Sequence, residues 1–420
     1  MNVPFFLARR IRQAPIESFS ATVTKVGIAS IAVGLAVMIV AFAVLFGFKQ
    51  TIQEKIFLFG AHLQVSKFTA NQSYEEAPIS TNTRFFREVQ SNPGIAHVQA
   101  VALKAGILKT PDELAGVVLK GVGTDYNWQL IEQSLVAGRV PAIGTDSARV
   151  ATGRADTTAG YSTEILLSQF LADQLKLKVG ESVITYFLGG SQPRPRKLTV
   201  VGIYMTGLEE FDKQIVLGDL RLIQRLNNWT PDMVGSFELF VRDFDRLDAT
   251  FRTVFDQIPP DFRLFKVTDQ YGPLFDWMVL LDRNTLVFLI LILFVASFNM
   301  VSVLLVLMME RTPMIGLLKA LGSQNTLLRR MFLYVGLNMV GWGLLIGNAV
   351  GLGFCFVQDY FKLIPLDPKN YFMSFVPIQW DWGVIGLLNA ATLVLIAAVL
   401  WIPTLVINRI EPVRALVFKK

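Results

Sequence analysis

The sequence predicts an α-helical membrane protein: four transmembrane helices, with a large α+β domain outside the cytoplasm inserted between helices 1 and 2. Three observations predict it. The 420 residues are 52% hydrophobic and only 17% charged, against about 25% charged in soluble chains. Four uncharged apolar stretches, 26–48, 284–309, 331–357 and 382–408, each reach the ~20 residues that a bilayer core requires. Between the first two lies the long stretch 49–283, rich in polar segments and long enough for one large domain or two subdomains.

Taken in order, the segment 1–25 carries Arg9, Arg10, Arg12 and Lys25 among Phe5, Phe6, Leu7 and Ile11. Residues Val3–Ile16 read as an interfacial helix on the inner leaflet or as a basic tail that fixes topology. The first apolar run contains Ala41-Phe42-Ala43, which mimics a signal-peptidase site. It nevertheless continues through Phe46 and is longer than a secretory h-region, so it reads as a retained anchor. Arg311, Lys319, Arg329 and Arg330 lie between the second and third spans, and Arg409, Arg414, Lys419 and Lys420 follow the fourth. The loop 358–381 has only Lys362 and Lys369 against Asp359, Asp367 and Asp381. The positive-inside rule therefore puts 1–25, 310–330 and the tail 409–420 in the cytoplasm, with 49–283 and 358–381 outside. The net charge of +6 is accounted for by this topology, and no basic-aromatic constellation points to nucleic acid.

Within 49–283, strand-like runs at His62–Lys67, Gly116–Gly121, Ser182–Phe187, Lys197–Tyr204 and Ser236–Val241 alternate with helix-like segments at Thr83–Gln90, Leu166–Leu177 and Asp219–Leu226. Val140–Ser162, rich in Ala, Gly, Thr and Ser, reads as a long loop. Gly189 to Arg196, with Pro193 and Pro195 between basic residues, reads as an exposed hairpin tip with a stiff basic arm, although a plain turn fits the same residues.

Enzymatic signatures are missing. There is no Gly-Lys dipeptide and hence no phosphate loop, no Gly-x-Ser-x-Gly elbow and no His-Glu-x-x-His. His62 and His97 have no companion ligand set for zinc, and the lone Cys355 reads as a small apolar residue in a span. The pairs Glu75-Glu76 and Glu209-Glu210 read as solvated surface. No catalytic or metal-ligating residue is assigned. The spans hold no Asp, Glu, Lys or Arg, which argues against an ion-coupled transporter; Asn299, Asn338, Asn348 and Asn389 are expected to bond across helices. Energy must then arrive from another protein.

The segment 310–330 is placed to receive it. Met314, Leu317, Leu318 and Leu321 recur at helical spacing and predict one apolar face on a short helix, with Pro313 in its first turn and Gly322 as its stop. Such a face fits a groove on a partner or a lipid-facing connector equally.

These residues also carry a resemblance. Ala296-Ser297-Phe298-Asn299-Met300-Val301-Ser302, Leu307-Met308-Met309-Glu310-Arg311-Thr312 and Leu318-Lys319-Ala320-Leu321-Gly322-Ser323 resemble the FtsX-like/MacB-type family of ABC transporter permeases. Within it the chain is similar to the lipoprotein-releasing (LolC/LolE-type) branch. Tyr271 to Phe275, Leu363 to Pro368 with Tyr371 and Val376-Pro377, Ile410 to Leu416, and the opening Phe6 to Arg10 with Gly47-Phe48 carry that likeness.

The resemblance implies an inner-membrane permease subunit of a Gram-negative-type cell, with a periplasmic domain and no ATP site of its own. It implies a pair of permeases, the same or sister chains, above two P-loop ATPases that supply ATP and Mg²⁺ chemistry. It also implies a lipoprotein cargo and a periplasmic lipoprotein carrier. By the same likeness, Glu310, Arg311, Met314, Leu317, Leu318, Leu321 and Gly322 would couple to the ATPase. Met38, Phe42, Phe46, Phe298 and Asn299 would line the cargo cavity, and Gln192, Pro193, Arg194, Pro195 and Arg196 would touch the carrier. The hairpin is short for carrier contact. Two other branches share the architecture: permeases that relay ATPase motion to cell-wall hydrolases, and MacB-like efflux permeases.

Overall fold

A computed structural model describes residues 19–69, 76–144, 160–188, 193–367, 371 and 373–404. The opening and C-terminal signatures, Gln192 and most of the expected loop Val140–Ser162 lie outside the described residues. The chain divides into two compact units, 1–50 with 277–365 and 375–420, and 51–276 with 366–374.

In the first unit, four helices are long and apolar enough to cross a membrane. They are α1 (Phe19–Phe59), α2 (Gly272–Glu310), α4 (Asn325–Phe361) and α5 (Trp382–Val399); the connector α3 (Thr312–Ala320) lies between the second and third. The expectation of four spans holds. The helices overrun the apolar runs because helix hydrogen bonding does not stop where hydropathy does. Residues 51–59 of α1 belong to the second unit. Side chains sort by what surrounds them. Leu35, Leu304, Met331, Phe332 and Ile396 are wholly buried, whereas Phe288, Phe294 and Phe298 on α2 are more than 60% exposed, a distribution that suits a surface covered by lipid or by another protein. Cys355 is buried among Leu35, Met38, Ile39 and Leu388, as a small apolar residue.

α1 and α4 meet through glycines. A Cβ on Gly343 would stand 2.7 Å from the Ile31 Cβ, one on Gly347 2.8 Å from the Ala32 oxygen, and one on Gly351 3.1 Å from the Ala36 Cα. These three glycines, one turn apart, let the two backbones touch. Two asparagine contacts cross the helices as expected. Asn348 Nδ2 donates to Asn389 Oδ1 at 2.6 Å and Asn389 Nδ2 returns the bond at 3.0 Å, and Asn299 Nδ2 donates to Ser30 Oγ at 2.9 Å. Lys49 on α1 pairs with Asp282 on α2 at 2.6 Å.

The second unit is built on a mixed ten-stranded sheet. Its strands are β1 (Leu63–Lys67), β3 (Ile95–Lys109), β4 (Leu114–Val122), β5 (Leu135–Gly138), β6 (Glu164–Ser168), β7 (Ser182–Phe187), β8 (Arg194–Tyr204), β9 (Ile215–Asp219), β11 (Ser236–Val241) and β12 (Phe262–Lys266). The order is β12-β1-β11-β3-β4-β9-β6-β8-β5, with β7 bridging β3 and β8, and a separate pair joins β2 (Ile79–Ser80) to β10 (Met233–Val234). β4 with β9 and β6 with β8 are parallel, and helices Gln169–Leu175 and Leu220–Asn227 pack nearby. The α+β expectation holds.

Local chemistry sets the helix ends. Thr83, Ser168 and Asp219 cap three helices by accepting from the backbone N–H of Phe86, Leu171 and Arg221, which satisfies first-turn donors. One expected helix needs correction: Leu166–Ser168 are strand β6, and the helix starts at Gln169 because Ser168 caps it. β3 escapes the sequence reading because its Ala- and Gly-containing run has low strand propensity.

Candidate functional site

α3 follows α2 after a single residue, with Pro313 in its first turn and Gly322, at φ +88°, beyond its end. Only glycine adopts that angle without strain, so the expected start and stop are where the residues place them. The predicted single apolar face is split. Ile315 is fully buried against Leu328 and Phe332, and Met314 and Leu318 pack on the same cluster. Leu317 and Leu321 point the other way, 52% and 75% exposed, with Met309 75% exposed nearby in sequence. Ile315 sets the inward direction, and residues two and six positions on fall on the opposite side of a 100° per residue helix. The outward surface is therefore Pro313, Leu317, Ala320 and Leu321, with Glu310 and Gly322 exposed at its ends.

Basic groups frame this surface. Burial lowers the Lys319 ammonium below its ordinary pKa. The Nε atoms of Arg311 and Arg329 are buried without a hydrogen-bond partner among the described residues, and buried donors ordinarily find one.

The candidate cavity residues do not form one group. Met38 is buried in the cluster with Leu35, Ile39 and Leu388, against which Phe42 packs. Phe42 and Phe46, ring centroids 5.7 Å apart, line a shallow crevice with Ala43, Leu352, Cys355 and Val384. Phe298 and Asn299 sit on α2, Phe298 exposed and Asn299 bonded to Ser30; neither lines the crevice.

In the second unit, Arg194, Pro195 and Arg196 are part of β8 and pair with Phe187, Tyr186 and Thr185 of β7. The expected proline arm is thus strand, and a proline fits because it sits at the start of β8, beside the loop that joins it to β7. Pro193 is exposed ahead of it, and Arg194 Nη1 donates to the Leu226 carbonyl at 2.7 Å.

A polar core holds the middle of that unit. Lys120 Nζ donates to Glu238 Oε1 at 2.6 Å and to the Phe59 carbonyl at 2.8 Å, and Gln99 Nε2 donates to Glu238 Oε2 at 2.7 Å. Tyr126 Oη donates to the Leu58 carbonyl, so Lys120 and Tyr126 satisfy carbonyls left open at the end of α1. Glu76, expected on the solvated surface, instead accepts from the Leu103 N–H at 2.9 Å. Burial pushes its carboxyl up to about 7. Gly235 makes the room, for a Cβ there would stand 1.9 Å from Glu76 Oε2. Glu209, by contrast, forms an exposed pair with Lys213, as expected of surface. His62, edge-on to Phe57, Phe240 and Phe244, accepts from the Val241 N–H, and burial lowers its pKa to about 4. No metal-binding cluster occurs among the described residues.

The sequence signal that the reading above missed is the Gly343, Gly347, Gly351 spacing. The buried Lys120–Glu238 pair carries no local signal, since its partners lie on separate strands.

Comparison with known proteins agrees with this architecture. Residues 27–250 match the MacB-like periplasmic core domain and residues 286–412 match the FtsX-like permease C-terminal domain. The chain is 24% identical over 97% of both chains to the lipoprotein-releasing system transmembrane protein LolC of Neisseria meningitidis. It is 22% identical to LolE of Haemophilus influenzae over 91% of both chains, and 22% identical to LolC of Xylella fastidiosa over 97% of both. A periplasmic core domain set between the first and second of four spans, followed by an FtsX-like C-terminal region, makes this chain a member of the MacB-type, FtsX-like family of ABC transporter permeases.

Proposed function

We propose that this chain is a permease subunit of an ATP-driven complex that extracts lipoproteins from the outer leaflet of the inner membrane and passes them to a periplasmic carrier. The observation that carries the reading is likeness along almost the whole chain, spans and external domain together, to permeases named for lipoprotein release. The distribution of Arg and Lys supports termini in the cytoplasm and the domain 49–283 in the periplasm. A lipid anchor in a membrane is held by about 0.8 kcal/mol per CH₂, so withdrawing acyl chains requires external work. The chain has no phosphate loop, so separate ATPase subunits supply that work.

α3 is the surface through which they act. Leu317 and Leu321 offer an apolar contact on a helix whose other side is fixed to the core. Force on the outward side then reaches α2 and α4 through Ile315 and Leu328.

Gentle detergent purification of the tagged chain, with mass spectrometry of what co-elutes, tests the reading. A P-loop ATPase with acylated lipoproteins is the expected result, and a second permease in the eluate identifies a heterodimer. An ATPase with cell-wall hydrolases or their activators, and no lipoprotein, overturns it in favour of the signalling branch; an outer-membrane channel in their place favours efflux. Leu321→Glu should strip the ATPase by at least about tenfold, as charge in an apolar interface does, while leaving membrane insertion intact. Unchanged ATPase recovery removes α3 as the docking surface.

A further inference from the structure

Along one edge of β3, the backbone groups of Val101, Leu103 and Ala105 face outward in succession. The Val101 carbonyl accepts from the Gly235 N–H at 2.9 Å, just ahead of β11. The Ala105 carbonyl accepts from the Leu188 N–H at 3.1 Å, just beyond β7. Neither strand reaches the residue between them, and the Leu103 N–H goes instead to Glu76 Oε2 at 2.9 Å. A single carboxyl group stands there in place of a strand.

Residues 76–81 bring it to that edge. β2 pairs with β10 through Ile79–Val234 and Ser80–Met233. The Thr81 N–H donates to the Asp232 carbonyl at 2.8 Å, and Ser80 Oγ donates to Asp232 Oδ2 at 2.7 Å. Asp232 thus ties one end of this two-stranded ribbon, and Glu76, seated against Gly235, ties the other.

The charges around Glu76 do not balance. Two carboxyls, Glu76 and Glu238, share the Lys120 ammonium, which is bonded to Glu238 Oε1 and to the Phe59 carbonyl. Ser236, whose hydroxyl donates to Glu76, is neutral. β10 carries no charged side chain, Asp232 is engaged with Ser80 and Thr230, and His97, farther along β3, bonds the Asp125 carbonyl. Lys104 alternates to the other face of β3. An acid without a cation of its own keeps its proton when its surroundings exclude water.

We propose that Glu76 is a pH-released latch: protonated, it holds the 76–81 ribbon to the edge of β3, and ionised, it lets that ribbon and β10 lift away. Seated, the carboxyl is raised to about 7 by burial, with the Glu238 charge adding to the shift; released, it returns to its ordinary 4.5. The latch therefore holds most firmly below 4.5 and weakens as pH rises through about 7. Lifting frees the Leu103 N–H and opens the β3 edge between β7 and β11, as an unpaired strand edge. The device lies wholly within the second unit and stands whatever the cargo.

Hydrogen–deuterium exchange of the full chain in detergent at pH 5.5 and pH 8, expressed as protection relative to the intrinsic rate at each pH, tests it. In wild type, peptides covering 76–84 and 232–236 should lose protection about tenfold at the higher pH. They should also exchange ahead of the sheet strand 215–219 at both. Glu76→Gln keeps an acceptor for Leu103 and cannot ionise, so its protection should be the same at the two pH values. Glu76→Ala removes the latch and should exchange fast at both. The proposal is overturned by wild-type protection that does not change with pH, by a loss that persists in Glu76→Gln, or by 76–84 exchanging in step with 215–219, which would make the opening global.

Discussion

Replacing Glu76 by Gln should abolish a specific loss of stability as pH rises toward neutrality. The Glu76 carboxyl is raised from 4.5 to about 7 by burial against β3 and β11, with the like charge of Glu238 adding to the shift and Lys120 opposing it. The folded protein therefore holds this proton over a range where the unfolded chain has released it. A folded state that binds more protons loses stability as pH rises, here between about 4.5 and 7. At ~1.4 kcal/mol per pH unit the whole interval is worth ~3 kcal/mol, an upper value because Glu76 is only half-buried. Gln reproduces the protonated carboxyl: its carbonyl can still accept from Leu103, and it has no charge to set against Glu238. His62 works in the opposite sense. Its pKa is lowered to about 4, so its contribution is present above ~6.5 and is lost as pH falls toward 4. The decisive quantity is the difference between E76Q and wild type, in which the His62 contribution cancels. Thermal unfolding of the purified full chain in detergent, from pH 5 to 8, measures it. E76Q should gain on wild type as pH rises toward about 7 and then keep that advantage, as the more stable protein, to pH 8. A difference that stays flat with pH would show that Glu76 is not held protonated and that the reasoning from its burial is wrong.

Other consequences are simpler to check. Gly347→Ala places a methyl 2.8 Å from the Ala32 oxygen and 3.0 Å from the Leu35 Cβ, so the α1 and α4 backbones must part; a loss of 1–3 kcal/mol, approximately, is expected, visible as a lower melting temperature in detergent. Asn348→Leu alone should cost about 1 kcal/mol by stranding Asn389, whereas Asn348→Leu with Asn389→Leu should recover most of it; a double mutant as weak as the sum of the singles refutes reciprocal pairing. Lys120→Met leaves Glu238 buried without its cation and should cost ~3–5 kcal/mol, read by denaturant unfolding of the full chain.

The membrane part of this fold was legible because a charge-free run of twenty residues has few other uses, and because Arg311, Lys319, Arg329 and Arg330 fall together on one side. Strands such as Ser182–Phe187 and Ser236–Val241 were legible from alternation. β3 was not, since Ala100, Ala102, Ala105 and Gly106 give it little strand character and its place at the centre of the sheet is decided by β4, β7 and β11 on either side. At α3 the spacing identified a helix and its ends, but four apolar residues at helical intervals did not reveal which side met the core; only the packing of Ile315 on Leu328 decides that. Glu76 could not be distinguished from its neighbour by type, and its environment comes from residues 27 and more positions away.

The glycine contact between α1 and α4 bears on how the membrane unit can move. A joint filled by long side chains can slide, because rotamers rearrange as one helix passes another. At Gly343, Gly347 and Gly351 there are no rotamers to rearrange, and displacement by a fraction of a turn would drive main chain into main chain. By this geometry the two helices resist sliding past one another. The α1–α2 seam differs in kind, because the Ser30–Asn299 hydrogen bond and the Lys49–Asp282 ion pair lie there beside side-chain contacts such as those of Ile31 with Met300 and Leu304, which can rearrange as the helices shift.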